Sequence, residues 1–193
     1  MTKTIAEFIW LGGIVGWYII RHPYVRRSKK TSVRKSLLDW REWALLTIAT
    51  IGLFLIPVLY VATGFAGYFD RPFIPAIAWL GIPVLCFALF LFRRSHADLG
   101  SNWSSSLKIR ESHTFVTTGI YRHVRHPMYS SFFVLGFAQF LLLPNWFAGF
   151  AGLAGAIILY GFRVCREEQM MVELFGEKYK DYMACTRRVI PWP

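Results

Sequence analysis

The segment Gly119-Ile120-Tyr121-Arg122-His123-Val124-Arg125-His126-Pro127-Met128-Tyr129 gathers arginine, histidine and tyrosine pairs in the middle of the chain. It is wedged between apolar runs long enough to enter a bilayer, where ionisable groups are costly and tend to mark function. A second cluster, Arg163-Val164-Cys165-Arg166-Glu167-Glu168, leaves the last apolar run in the same way. Arginines in such settings suit a negatively charged ligand group such as a carboxylate. Two polar clusters flanking one apolar hairpin predict a cofactor site at a membrane surface.

Other chemistries fit these residues less well. His123 and His126 stand three apart, a spacing that helices use for metal-ligand pairs. Pro127 pushes His126 away from helical geometry, and Arg122 and Arg125 would repel a cation, so no metal is expected here or at His113. Cys86 lies inside an apolar run, and Cys165 and Cys185 fall in segments assigned below to the reducing side, so no disulfide framework follows. Cys165 beside Arg163 and Arg166 has the setting of a low-pKa nucleophile, but an inert thiol is the preferred reading. There is no G-x-G-x-x-G motif, and Gly12-Gly13 sits in an apolar block without the strand and helix of a Rossmann site. Any adenine-bearing cofactor must be held by the membrane fold itself.

The elements that position these clusters are apolar blocks. Hydrophobic residues make up 55% of the chain and charged residues only 17%. A soluble domain would carry roughly a quarter charged residues, so a soluble all-helical domain is the weaker reading. Spans are expected at about 5–20, 43–65, 73–92, 128–143 and 146–162. Pro57 should kink the second, and Pro83 should make the third irregular. Pro144-Asn145 divides the long apolar run near the end of the chain into a helical hairpin. The expected fold is all-α, an integral membrane protein of five transmembrane helices forming a single domain over residues 1–193. Glu167 to Tyr182 reads as a helix leaving the membrane, interrupted near Gly176, with Trp192 resting at the interface.

Charge placement tests the count independently. Segments 21–42, 93–131 and 163–193 hold 8, 6 and 6 of the chain's 22 Lys and Arg residues, leaving only Lys3 and Arg71 on the other side. Positive charge concentrates in the cytoplasm, which predicts the N-terminus outside and the C-terminus inside. Asp70 and Asn145 then face out, and Ser101 and Tyr179 face in. The formal charge of +11 is thus mainly a topology signal and a match for anionic lipid headgroups, and no nucleic-acid partner is expected.

Taken together, Tyr121 through Tyr129, the Arg163-x-x-Arg166-Glu167-Glu168 cluster and Phe175-Gly176-Glu177-Lys178-Tyr179-Lys180-Asp181-Tyr182 resemble the isoprenylcysteine carboxyl methyltransferase family. His113-Thr114-Phe115-Val116-Thr117-Thr118-Gly119 resembles it too, so the likeness covers about residues 100–190. The resemblance implies a membrane enzyme that transfers a methyl group from S-adenosylmethionine to the carboxylate of a lipidated cysteine. By position, it implies cofactor contacts at His113, Thr114, Phe115, Val116, Tyr121, His126, Pro127, Met128, Tyr129 and Glu167. Lys108 is a further cofactor candidate, and Arg163 falls at a position important for substrate and catalysis.

The chemistry fits such residues. A carboxylate is already ionised near neutral pH, so the enzyme needs no general base. It must desolvate and aim the nucleophile. Arg163 offers a two-pronged donor for it, and if residues 163–168 are helical, Glu167 shares its face one turn on. Span walls rich in Phe and Leu would accept an apolar tail entering from the bilayer. The chain is shorter than the eukaryotic pattern, which leaves open a phospholipid amine acceptor with Glu168 as base. A reductase using NADPH and a non-catalytic lipid-binding protein are also compatible with a basic, multi-span chain.

Overall fold

The computed structural model describes residues 1–29, 33–36, 39–103, 108–110 and 114–191. His113 and Trp192 lie outside these, and Lys108 enters only through its backbone.

Helices follow the apolar blocks in the expected order. They are α1 (Lys3–Lys29), α2 (Trp40–Thr50), α3 (Ile56–Thr63), α4 (Pro75–Leu99), α5 (Pro127–Leu142), α6 (Trp146–Phe175) and α7 (Glu177–Cys185). Four stretches, Lys3–Ser28, Trp40–Thr63, Pro75–Leu99 and Trp146–Phe175, are long and apolar enough to cross a membrane. With 16 residues, α5 rises about 24 Å, short of a hydrocarbon core of about 30 Å. Its far end is nevertheless level with its neighbours. The Asn145 turn bridges Asp70 between α3 and α4, and Lys3 of α1 reaches Asp70 at 3.2 Å. The architecture is that of a multi-pass membrane protein, with α1, α4 and α5 meeting around Trp10, Leu85, Ala138 and Leu142.

Two helices outrun their apolar blocks. α1 continues past Arg21 and Pro23 to Lys29, and α6 continues past Phe162 to Phe175. The second extension places Arg163, Glu167 and Glu168 on the same rod as the span. The break at Gly176 falls where the sequence predicts it.

Pro57 shapes the second span through its missing N–H. Over Ile51–Leu55 the chain takes a π turn, in which Ile56 N–H bonds the Ile51 carbonyl. In that register the Gly52 carbonyl would face the absent proline donor. The fully buried Gln139 amide supplies it instead, donating at 3.2 Å to Gly52 and at 2.6 Å to Ala148. One side chain of α5 therefore joins the second span to α6.

The all-α expectation misses one small element. β1 (Val33–Ser36) pairs antiparallel with β2 (Lys108–Arg110), tying the α1–α2 connection to the loop after α4. Strands this short carry no readable alternation. Between α5 and α6 the backbones approach closely at Gly136, where a Cβ would lie 2.6 Å from the Leu153 amide nitrogen.

Candidate functional site

A cavity of about 140 Å³ lies at the polar end of the bundle, where α5 begins and α6 leaves its apolar part. Its roof is the segment Thr114–Tyr121, held by a chain of specific bonds. Asn102, buried after α4, accepts from Thr114 N–H at 3.0 Å and donates to the Thr114 hydroxyl at 2.9 Å. Asp98 accepts from Ile120 N–H at 2.8 Å. Gly119 makes that contact possible: it has φ +62°, and a side chain there would run into the Asp98 carboxylate.

Aromatic rings line much of the wall. Phe115 stacks on Phe175 with centroids 5.1 Å apart and meets Tyr182 edge-on at 5.4 Å. Tyr121 donates to the Ser95 carbonyl, and Tyr182 donates to the Tyr121 carbonyl. Burial pushes both hydroxyls up, Tyr182 to about 12 and Tyr121 further, with Glu167 adding to the shift at Tyr121. Both hydroxyls stay protonated at neutral pH, as donors of these bonds must.

The charged face belongs to α6. Arg163 and Glu167 are one turn apart, with Arg163 Nε 3.9 Å from Glu167 Oε2, and the Tyr129 hydroxyl donates to the same oxygen at 2.9 Å. Arg163 Nη2 also lies 3.4 Å from the Glu42 carboxylate, which is fully buried in the first turn of α2. One turn further along, Arg166 pairs with Asp39, the α2 N-cap, at 3.0 Å. Two parallel ion pairs thus hold the start of α2 against α6, and one of them orients Arg163.

Glu168 points the other way and binds three residues. Its Oε1 accepts from Arg125 at 2.8 Å and faces His126 Nε2 at 3.2 Å, while Oε2 accepts from Arg188 at 2.7 Å. Arg125 also donates to the Met183 and Thr186 carbonyls at 2.7 and 2.5 Å. Backbone bonds from Arg125 N–H to Arg187 and from His126 N–H to Arg188, at 2.7 and 2.8 Å, complete a strap of the 186–190 segment across the start of α5. Two expectations change as a result. Arg125 borders the cavity, but its donors are committed to Glu168 and the strap, so it is not a ligand anchor. Glu168 has donors on both oxygens and does not border the cavity, so it cannot serve as a base there.

The residues singled out from sequence converge. Thr114 to Val116, Tyr121, His126 to Tyr129, Arg163 and Glu167 all border the one cavity. Lys108 holds a backbone place in β2, and His113 falls outside the described residues. Sequence reasoning misses Glu42, Asn102 and Trp103, and it leaves Tyr179 and Tyr182 without a role. Glu42 carried the one usable signal, an acid at the start of an apolar span.

Comparison with known proteins agrees on the region. The model of the isoprenylcysteine carboxyl methyltransferase family matches residues 79–173. A protein-S-isoprenylcysteine O-methyltransferase of Schizosaccharomyces pombe is 32% identical over 103 residues, 51% of this chain and 42% of that protein. One from Dictyostelium discoideum is 29% identical over 117 residues, 58% of this chain and 48% of that protein. Protein-S-isoprenylcysteine O-methyltransferase B of Arabidopsis thaliana is 28% identical over 111 residues, 55% of each chain. The chain spans about half the length of the curated relatives it matches.

Proposed function

Because residues 79–173 belong to the isoprenylcysteine carboxyl methyltransferase family, we propose that this chain methylates the carboxylate of a lipophilic acceptor of the isoprenylcysteine type, using S-adenosylmethionine. Residues 1–193 would act as one membrane-embedded domain, with the cofactor held by about 100–190. The observation that carries this reading is the meeting of Arg163, Glu167 and the 114–129 segment around one cavity.

The residues present suit the cofactor. Faces of Phe115, Tyr121 and Tyr179 suit a flat purine and a cationic sulfur, and Glu167 suits ribose hydroxyls. Thr114, Val116, His126, Pro127, Met128 and Tyr129 would complete its shell, with Lys108 and His113 as further candidates. When bound, S-adenosylmethionine supplies an electrophilic methyl group on a positively charged sulfur. Arg163 then holds the acceptor. Among the described residues its buried Nε makes no hydrogen bond, so one prong of the fork would turn to a carboxylate while Nη2 stays on Glu42. The acceptor arrives ionised and needs no proton removed. A lipid amine would need a base, and the engagement of Glu168 disfavours such an acceptor.

Titration tests the cofactor half directly. In detergent, the protein is expected to bind S-adenosylhomocysteine more tightly than NADPH. Glu167→Ala should weaken that binding by about 1–3 kcal/mol, the value of a charge-assisted hydrogen bond. Tight NADPH binding with no response to S-adenosylhomocysteine would replace this reading with a reductase.

The proposed orientation puts the N-terminus outside and the C-terminus in the cytoplasm, where the cavity and most positive charge would lie. In a cysteine-free background, an impermeant thiol reagent applied from outside should label a cysteine at Tyr68, which is 95% exposed, and leave one at Lys180 untouched. The reverse pattern would invert the topology.

A further inference from the structure

Arg163 faces two carboxylates and closes on neither. Its Nη2 stands 3.4 Å from Glu42 and its Nε 3.9 Å from Glu167, and among the described residues that Nε makes no hydrogen bond. Elsewhere in the same structure Arg125, Arg166 and Arg188 close on their carboxylates to 2.8, 3.0 and 2.7 Å. Weak attraction does not set the longer distances at Arg163. Its side chain is 12% exposed and that of Glu42 1%, so little water screens either charge. Arginine and glutamate four residues apart on one unbroken helix also lie face to face, and a guanidinium can grip a carboxylate with two parallel hydrogen bonds. Left alone, Arg163 and Glu167 would pair with each other.

Each is held back by a residue of another helix. Tyr129 of α5 donates to Glu167 Oε2 at 2.9 Å. Glu42 of α2 holds Arg163 through Nη2. Glu42 is itself fixed, because Asp39 accepts from the Glu42 N–H at 2.8 Å as the cap of α2 and pairs with Arg166 at 3.0 Å.

We propose that Glu42 is a positioning residue: it keeps Arg163 from closing on Glu167, so that a cation and an anion one turn apart stay open to two different ligands. Without it the pair on α6 neutralises itself. The cofactor then loses the carboxylate proposed for its hydroxyls, and the acceptor loses its guanidinium. This inference rests on the methyltransferase reading and adds to it a residue outside the stretch 79–173 that the family model matches.

The test is a double-substitution cycle, read by titrating folded protein in detergent with S-adenosylhomocysteine. Glu42→Gln leaves a neutral acceptor that attracts a guanidinium roughly half as strongly, while Glu167 keeps its full charge. Affinity should fall about tenfold, as for loss of one hydrogen bond to a charged group. In a Glu167→Gln background the same substitution should have no further effect, because Arg163 then has no carboxylate on α6 to close on. Adding Arg163→Ala to Glu42→Gln should restore affinity to within a few-fold of wild type. A role for Glu42 in the fold alone would weaken binding alike with and without Glu167. That result, unchanged affinity in Glu42→Gln, or no recovery on removing Arg163 overturns the inference. Should Glu42→Gln fail to fold, Glu42→Asp takes its place. Its shorter carboxylate holds Arg163 less closely, so a smaller loss is expected, again confined to proteins that keep Glu167. A loss that is absent or independent of Glu167 counts against the proposal. Failure of the wild-type protein to bind S-adenosylhomocysteine would instead remove the methyltransferase reading itself.

Discussion

Arg163→Ala is expected to abolish methyl transfer to a prenylcysteine analogue while leaving affinity for S-adenosylhomocysteine within a few-fold. The reason is the division of labour proposed along α6: Arg163 would hold the acceptor and Glu167, one turn on, the cofactor. Arg163→Lys should restore little, because a compact ammonium cannot reproduce the planar fork that grips Glu42 and a second carboxylate together. A complication is the fully buried Glu42, which loses its Arg163 partner in the alanine variant. Breaking a buried pair this way costs about 3–5 kcal/mol of stability. The double variant Arg163→Ala/Glu42→Gln separates the effects, since it should recover much of the stability and none of the turnover. Normal turnover in Arg163→Ala would end the proposed role. Equal loss of cofactor binding in Arg163→Ala and Glu167→Ala would mean that the two sites are one.

The second large effect is on the scaffold. Glu168→Ala removes the common partner of Arg125, His126 and Arg188, and leaves Arg125 with a charge that only backbone carbonyls answer. Since Arg125 and Glu168 are both buried, the expected cost is again about 3–5 kcal/mol. It should be read as a lower unfolding temperature and as early proteolysis in the 186–190 strap. Binding of S-adenosylhomocysteine should fall with it, because the strap braces His126 at the head of α5. Arg188→Ala should be much milder, as that side chain is 42% exposed and its pair is partly screened. If the two substitutions proved equally mild, the strap would not depend on Glu168.

Much of this arrangement can be read from sequence, and the exceptions have a common cause. The span order, the hairpin at Pro144-Asn145 and the break at Gly176 follow from hydropathy and local turn chemistry. The cluster from His126 to Tyr129 is legible because its residues are neighbours in the chain. Arg163 and Glu167 are legible because four residues make one helical turn. Glu42 is not, because its partner lies in another helix, more than a hundred residues away. Arg125 and Glu168 look available in sequence because nothing local reveals that a terminal strap consumes them. The π turn at Ile51–Leu55 depends on a donor from Gln139 of α5, so Pro57 alone suggests only a kink.

The length of α6 has a consequence for where the chemistry can occur. The helix is unbroken from Trp146, beside the Asn145 turn, past Arg163 to Phe175. At 1.5 Å per residue, Arg163 lies about 26 Å along the rod from Trp146, just inside the far edge of a hydrocarbon layer of about 30 Å. On the proposed reading, a single rigid helix would work as a depth gauge: the Asn145 turn sets its zero, and the guanidinium would be the mark at which an acceptor's headgroup is read while its tail remains in lipid. The bilayer's thickness would then be a parameter of the proposed reaction, because a thicker or thinner membrane moves the headgroup plane while the mark stays fixed.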